Sequence, residues 1–591
     1  MSKTETSSGF SRRGFLTAGA GAVAVTAMGG WTPVYALPLR AAGSLDSGSA
    51  GGGATLPAPP DFPADIDLAQ QAYQNWSKEI MLDATWTATP KNSGEVVRLT
   101  NWAHSVGYTL RPRGAMHGWT PLTVVNGASV DKVILVDTTK HLNGVVVNAA
   151  GSPATVTAGP GATLDAITSA LQDKGLGWAN LPAPGVLTIA GCLAVDAHGA
   201  ALPAAGQSTQ PGHTYGSLSN LVTSLTAVVW NGTEYAERSF SRNDPQIRPL
   251  LTALGRTFIT SVTMQAGPNF RMRCQSITDI KWQELFGAKG ASGRTFQSYV
   301  ESNGGVEAIW YPFTEKPWLK VWSVSPNKPS GSKEVNKPYN YPFSDNLPEA
   351  ITDLLGQMNA GAPGIAPLFG QTMYATTVAG LAATNSSDIW GWSKDIQFYI
   401  KATTLRLTEG GGAVITSREN IGQVIHDFAV WFNERIEFYK SKGQYPLNGP
   451  VEIRCCGLDQ QADLKVPTAG APTISAMRPR PDHPEWDTAI WLNVLGVPGT
   501  PGMFAFYREM EQWMRSHYTG ADYTFRPEWS KGWAFGPELP YTDGAIISGA
   551  LPQSYRDGLP AGDNWDTAVA AFNEFDPHKV YSNSFMDQLL P

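Results

Sequence analysis

The 591-residue chain is poor in cysteine, in charge, in paired histidines and in long apolar runs. Cys192 and Cys274 stand alone and Cys455 and Cys456 are adjacent, so there is no C-x-x-C pair and too little thiol for a disulfide scaffold. Free, buried thiols are expected, with a Cys192–Cys274 bridge as the alternative. Charged residues make up 16% of the chain and the net charge is −7, against roughly a quarter charged in an average soluble protein. With 42% hydrophobic residues, this excludes a disordered chain. The acidic balance also argues against a nucleic-acid partner, which needs a basic field to meet phosphates. None of the nine histidines forms an H-x-x-x-H or H-E-x-x-H pair, so no metal site is expected. No apolar run reaches the ~20 residues of a membrane span.

Glycine and proline are plentiful, at 61 and 43 residues, but follow no G-X-Y period, which leaves a loop-rich globular protein. Twenty tryptophans point to aromatic-lined cavities or thick cores. Ser11-Arg12-Arg13-Gly14-Phe15-Leu16, a short apolar run from Thr17 to Gly30 and the small residues around Val34-Tyr35-Ala36 form a twin-arginine export pattern. Residues 1–36 are therefore expected to be a signal peptide cleaved near Ala36, and the protein to be secreted. That route carries folded proteins, often already loaded with a cofactor. Residues 37–60, rich in Gly, Ser, Pro and Ala, read as a flexible linker.

Two domains are expected beyond the linker, over 61–268 and 269–549, with 550–591 returning to pack on the first. The first carries short β-branched runs at Glu95–Leu99, Lys132–Val136, Ala154–Ala158, Leu225–Trp230 and Phe258–Thr263. One helix is expected from Thr163, a suitable N-cap, to Lys174. The second holds the longest helical pattern, Ile421, Val424, Ile425, Phe428, Phe432 and Ile436, flanked by strand-like Ala308–Tyr311 and Lys320–Val324. The mixture reads as α+β, the second domain being an antiparallel sheet flanked by helices.

Two loops are candidates for ligand binding. In Arg111-Pro112-Arg113-Gly114-Ala115-Met116-His117-Gly118-Trp119, glycine lets backbone N–H groups approach an anion and arginine supplies charge; read alone, it is equally an ordinary turn with solvated arginines. The second, Pro182 to Gly199, is made of small residues suited to close approach of a long ligand, without the strand–turn–helix setting of a Rossmann unit.

Taken in order, Arg113–Gly118, Pro184–Gly191, Asp196-Ala197-His198-Gly199 and Tyr215-Gly216 resemble the vanillyl-alcohol-oxidase (VAO/PCMH) type of FAD-binding domain over about 80–270. The resemblance implies bound FAD, covalently attached through His117. It places Arg111, Arg113, Gly114, Ala115, Met116, Gly118, Trp119, Pro184, Gly185, Thr188, Gly191, Cys192, Asp196, His198, Gly199, Tyr215 and Gly216 at the cofactor. A narrower resemblance spans almost the whole chain: Val306–Thr314, Val451–Arg454 and Ala489–Asn493 are similar to the covalent-flavin, type II cholesterol oxidases. It implies oxidation of the 3β-hydroxyl of cholesterol, isomerisation to cholest-4-en-3-one and reduction of O2 to H2O2. A sterol, O2 and a transiently touched membrane surface are then the expected partners, and the protein is expected to act as a monomer.

The residues support that chemistry in their own terms. Glu307 and Glu452 sit in apolar, strand-like sequence, where a raised pKa suits a carboxylate to proton transfer; which of them serves oxidation and which isomerisation stays open. Arg454, two residues from Glu452, faces the same side of a strand and can hold a carboxylate, stabilise an oxyanion or gate. Asn493 can hold the substrate hydroxyl, and Lys531 can serve oxygen activation or flavin positioning. The bland alternative is a structural Glu452–Arg454 ion pair with Glu307 at a loop. Two other functions compete: an oxidase of a sugar, polyol or lactone, and a secreted binding protein without catalysis.

Overall fold

The β-branched runs of the first half pair into two sheets. In the computed structural model, which describes residues 56–345, 358, 361–401, 404–466 and 468–591, the first sheet has the order β1 (Asp67–Gln74), β2 (Met81–Thr89), β4 (Val133–Asp137), β3 (Thr109–Arg113). The second runs β5 (Val145–Asn148), β6 (Ala154–Ala158), β10 (Phe258–Pro268), β8 (Val222–Trp230), β9 (Tyr235–Ser241), with β7 (Leu176–Gly177) on the end of β10. The expected export signal and most of the expected linker lie outside the described residues.

One element differs from the sequence reading. Glu95–Leu99, expected as a strand, lies inside helix α1 (Ser93–Val106). The Asn92 side chain accepts from the Glu95 N–H at 3.0 Å, capping a free donor of the first turn, and the Glu95 carboxylate reaches back to accept from the Lys91 N–H at 2.7 Å just before the helix. Val96, Leu99, Trp102 and Ala103 then bury one face at helical spacing, which outweighs the β-branched Val96-Val97 pair. The one helix expected here, from Thr163 to Lys174, forms as α2 (Leu164–Gln172), with the Thr163 hydroxyl accepting from the Ala166 N–H.

The second half is built on a nine-stranded sheet. Its order is β14 (Lys333–Glu334), β15 (Asp388–Trp392), β11 (Arg271–Ile277), β13 (Trp318–Val324), β12 (Gly305–Trp310), β17 (Val451–Gly457), β18 (Thr488–Gly496), β16 (Thr408–Thr416), β19 (Thr524–Pro527). All pairs are antiparallel except β14–β15. Side chains alternate between the two faces. Val306, Ala308, Leu319, Val321, Ile453 and Leu492 pack on one face against the helices Ile421–Ser441 and Met503–His517. The opposite face carries Glu307, Lys320, Glu452, Arg454 and Asn493, and it turns toward the first half.

The end of the chain packs on the first half. Phe575, closing helix Trp565–Phe575, joins the core of the second sheet, and Asp576 forms a buried ion pair with Arg256 at 3.2 Å. All four thiols are free and buried.

Candidate active site

The two ligand-binding loops come together because one residue has no side chain. A Cβ on Gly114 would lie 2.1 Å from Oγ1 of Thr188, so only glycine lets the Arg113–Gly118 loop rest on the turn that starts helix α3 (Ile189–Ala194). A cavity of about 450 Å³ runs from this junction to the sheet. Its near end is lined by Arg111, Arg113, Gly114, Ala115, Met116, His117, Gly118, Trp119, Pro184, Thr188, Gly191, Cys192, His198 and Gly199. The Thr188 side chain takes the place a Cβ of Gly114 would need, and the cavity beyond, walled by both loops, fits the edge of a long, flat cofactor such as FAD. The His117 ring stacks on Trp76 with centroids 3.9 Å apart. Burial, aided by Lys531 and Arg406, pulls its pKa down to about 3. His117 is therefore a neutral imidazole, and neither nitrogen has a hydrogen-bond partner among the described residues.

Strand register assembles the other end. β12, β17 and β18 set Glu307 opposite Arg454 and Glu452 opposite Asn493. The Arg454 guanidinium donates to Glu452 at 3.3 Å and to both oxygens of Glu528 at 3.2 and 3.3 Å. Asn493 donates to Glu528 at 2.7 Å and also to Glu409, which pairs with Lys531. The Tyr399 hydroxyl donates to Glu307 at 2.6 Å. Lys531 lies 4.1 Å from the Trp119 ring centroid, and the Trp119 N–H donates to the Ser530 carbonyl at 2.8 Å. The His117 loop is thereby fastened to the segment that carries Glu528 and Lys531.

Four carboxyl groups, Glu307, Glu409, Glu452 and Glu528, face three cations, Lys320, Arg454 and Lys531. One proton retained on the acids balances the set, and its place is Glu452. Burial and the neighbouring Glu409 and Glu307 push the Glu452 pKa up to about 8. At Glu528 burial acts the same way, but Arg454 and Lys531 outweigh it and hold the carboxyl well below the ordinary range. Burial also opposes the charge on Arg454; Glu528, Glu409 and Glu452 overcome it.

The Glu452 shift has a consequence for stability. Its folded pKa is raised, so the unfolded chain gives up the proton near the ordinary value while the folded chain keeps it to about 8. The folded state therefore loses ground as pH rises from about 4.5 to about 8. Glu452→Gln is expected to gain stability over the parent across that window, by an amount on the order of a few kcal/mol. Urea unfolding at pH 5 and pH 8 measures this; a difference between the two proteins that stays flat with pH counts against it.

Four residues expected at the cofactor do not line the cavity. A Cβ on Gly185 would meet the Phe398 ring at 3.0 Å, and one on Gly216 would meet Asp459 at 2.5 Å. The Tyr215 carbonyl accepts from Asn180 and from the Gly457 N–H. Asp196 is fully buried and accepts from the Ala476 N–H at 2.6 Å. These four join the two halves of the protein. His198 does line the cavity, stacks on Trp491 at 3.9 Å and stands 3.6 Å from Glu528. Sequence reasoning missed Glu409, Glu528, Tyr399 and Lys320. For Lys320 a signal existed: in Trp318-Leu319-Lys320-Val321-Trp322 a lysine shares one strand face with two tryptophans.

Residues 271–591 match the family model described as cholesterol oxidase, substrate-binding, and residues 84–236 match that of an FAD binding domain. Among solved structures the chain is similar to cholesterol oxidase from B. sterolicum, with 71% identity, 91% of this chain and 100% of that one covered, and a TM-score of 0.90. A histidine-to-alanine variant of the Brevibacterium sterolicum enzyme gives the same values. A solvent-stable cholesterol oxidase is 48% identical over 90% of this chain and 100% of its own, with a TM-score of 0.90. A xylooligosaccharide oxidase from Myceliophthora thermophila C1, 14% identical with a TM-score of 0.52, covers 86% of this chain and 92% of its own; it shares the fold alone. Comparison with curated proteins gives no match.

Proposed function

The chain belongs to the cholesterol oxidase family and is an FAD-dependent oxidase of sterols; from that premise we propose that it oxidises the 3β-hydroxyl of cholesterol and related sterols and isomerises the Δ5 bond to give cholest-4-en-3-one. The observation that carries this reading is the pair of glutamates on adjacent strands, facing one cavity with opposite surroundings. Glu307 receives a phenol hydroxyl and faces cations; Glu452 keeps its proton to about pH 8. Two carboxyl groups set apart in this way supply a base and an acid at one pH. The Arg113–Gly118 and Pro184–Gly191 loops would hold FAD, which would supply the hydride acceptor for C3 and the path of the two electrons to O2, giving H2O2.

The protein's residues then divide the work. Glu307 accepts the hydroxyl proton, and one carboxyl group can also carry a proton between ring carbons in the isomerisation. Arg454 stabilises negative charge developing on the substrate oxygen; Asn493, expected at the substrate hydroxyl, is instead buried behind the cavity wall and holds the Glu528 and Glu409 carboxylates. Ile309, Trp318, Phe343, Phe369, Met373 and Leu405 line the far end of the cavity, an apolar slot suited to fused rings rather than to a sugar. A panel of sterols, sugars, polyols and lactones with peroxide detection, followed by identification of the steroid product, tests the reading. Peroxide from sugars and none from cholesterol would overturn it.

His117 is the proposed covalent attachment point, supported by its neutral ring on the cavity wall, whose nitrogens have no hydrogen-bond partner among the described residues. Acid precipitation of the parent is expected to leave the yellow flavin with the protein, whereas His117→Ala should release it and turn over more slowly. Flavin lost equally from both would refute the link. The proposed division is an FAD-binding domain over 61–268, a substrate domain over 269–549 and a C-terminal return over 550–591. Secretion through the twin-arginine leader is proposed from the sequence pattern. Transient membrane contact finds support in helix Ala366–Ala383, which carries no charged residue, exposes Leu368 and Val378, and lines the cavity through Phe369 and Met373. Among the described residues no helix is long and apolar enough to cross a membrane.

A further inference from the structure

Lys320 is a fully buried charge on the sheet face that carries the glutamates. It projects from β13 on the cavity side of the sheet, yet it is 0% exposed and does not line the cavity. Its ammonium has no hydrogen-bond partner among the described residues. Instead it sits inside aromatic rings: 2.9 Å from the Tyr399 centroid, 4.9 Å from Trp322, 5.1 Å from Tyr341 and 5.3 Å from Trp318. Those four side chains do line the cavity, so the lysine stands directly behind its wall. Strand register sets it opposite Glu307, whose Oε2 is 4.0 Å from Nζ and is the same oxygen that receives the Tyr399 hydroxyl.

A buried ammonium without a hydrogen-bonded side-chain or backbone partner is costly. The ring faces repay part of that cost by cation–π attraction. The rest falls to the charge of Glu307 across 4.0 Å, in surroundings where water screens little. Attraction of this kind acts equally on both members. The titratable groups facing Lys320 are Glu307 from β12, Cys274 from β11, Tyr341, Tyr399 and, farther away, Glu452 from β17. Burial, opposed by Glu307, draws the lysine down to about 8, so it is charged at neutral pH.

We propose that Lys320 is a positioning residue for the sterol chemistry: from behind the cavity wall its ammonium supplies the counter-charge to Glu307, while Tyr399, held between them, aims the carboxylate at the substrate. The catalytic consequence rests on the reading of Glu307 as the base; the electrostatic statement does not. The cage serves both ends, since Tyr399 is at once the ring over the ammonium and the hydroxyl on the carboxylate.

The test uses the flavin-loaded protein with Lys320→Met, Lys320→Arg and the double variant Lys320→Met/Glu307→Gln. The infrared carboxyl band present in Lys320→Met and missing from the double variant reports protonated Glu307. The same subtraction with Glu307→Gln reports it in the parent. The Glu307 midpoint is expected at least one pH unit higher in Lys320→Met than in the parent, with Lys320→Arg returning it to the parent's value. In anaerobic stopped-flow the acid limb of flavin reduction by cholesterol should move by the same amount, with the rate recovering as pH rises. An unmoved infrared midpoint in Lys320→Met overturns the proposal, even if its rate is lower at every pH. A midpoint that moves while the acid limb stays supports the electrostatic role of Lys320 and removes Glu307 as the base. Should Lys320→Met not load flavin, Lys320→Gln removes the same charge with a polar end and is read by the same two midpoints.

Discussion

Replacing Arg454 by leucine is expected to cost about 3–5 kcal/mol of stability and to lower turnover on the order of a thousandfold. The guanidinium pairs directly with Glu452 and Glu528 and stands opposite Glu307 in the strand register. Without it, four carboxyl groups face two cations, Lys320 and Lys531. Glu528 loses most of what keeps it ionised while burial still penalises its charge, so the cluster takes up a proton near neutral pH. Stability should then become strongly pH-dependent, falling as pH rises and that proton is forced off. Adding Glu528→Gln to the variant removes the stranded charge and should recover most of the stability, because coupled neighbours are not additive. It should recover little turnover, since the charge aimed at the substrate oxygen stays missing. Urea unfolding and anaerobic flavin reduction separate the two effects. Turnover at the parent's level in Arg454→Leu would remove the arginine from the chemistry, and the loss should fall on kcat more than on the KM for sterol.

What could be read in the sequence follows from what is local. Glu307, Glu452 and Arg454 each stand in short apolar strings, and period-two alternation places Glu452 and Arg454 on one face of a strand. The structure brings both glutamates, Arg454 and Lys531 to a single cavity wall, with Asn493 buried behind it on Glu528 and Glu409. Glu409 and Glu528 escaped because their roles are set by pairing across the sheet. Glu409 enters next to the Gly410-Gly411-Gly412 run, where close strand approach hides what the acid meets. Glu528 belongs to the loop after β19, and only the return of that loop to β17 and β18 makes it the counter-ion of Arg454. Small-residue motifs have a similar limit. They mark where backbones approach closely, at Gly114 against Thr188 as at Gly216 against Asp459, but not whether a ligand or a second domain fills the space. Glu95–Leu99 shows the converse: a β-branched pair lost to a cap, because Asn92 satisfies a first-turn donor and Glu95 one just before the helix, donors that a strand would have left to another chain segment.

Glu307→Gln is expected to slow flavin reduction by cholesterol by about 100- to 10,000-fold, the range ascribed to a positioned proton acceptor, with sterol affinity little changed. The amide keeps the shape and can still receive the Tyr399 hydroxyl, so the fold and the cavity wall should survive. What disappears is an acceptor for the hydroxyl proton and the charge opposite Lys320. Glu452 is a poor substitute: Arg454 occupies one of its oxygens, and at neutral pH it already carries a proton. Glu307 is one of the charges that raise Glu452, so in Glu307→Gln the Glu452 proton leaves below the parent's midpoint of about 8; a residual reaction that rises with pH in Glu307→Gln, with its midpoint below 8, and not in the double variant Glu307→Gln/Glu452→Gln, would identify Glu452 as the stand-in base. If Glu307→Gln instead reduces flavin at the parent rate, the base lies elsewhere. The double variant then decides whether it is Glu452, acting in the minor fraction of molecules that have lost the proton at neutral pH, or a group outside this pair.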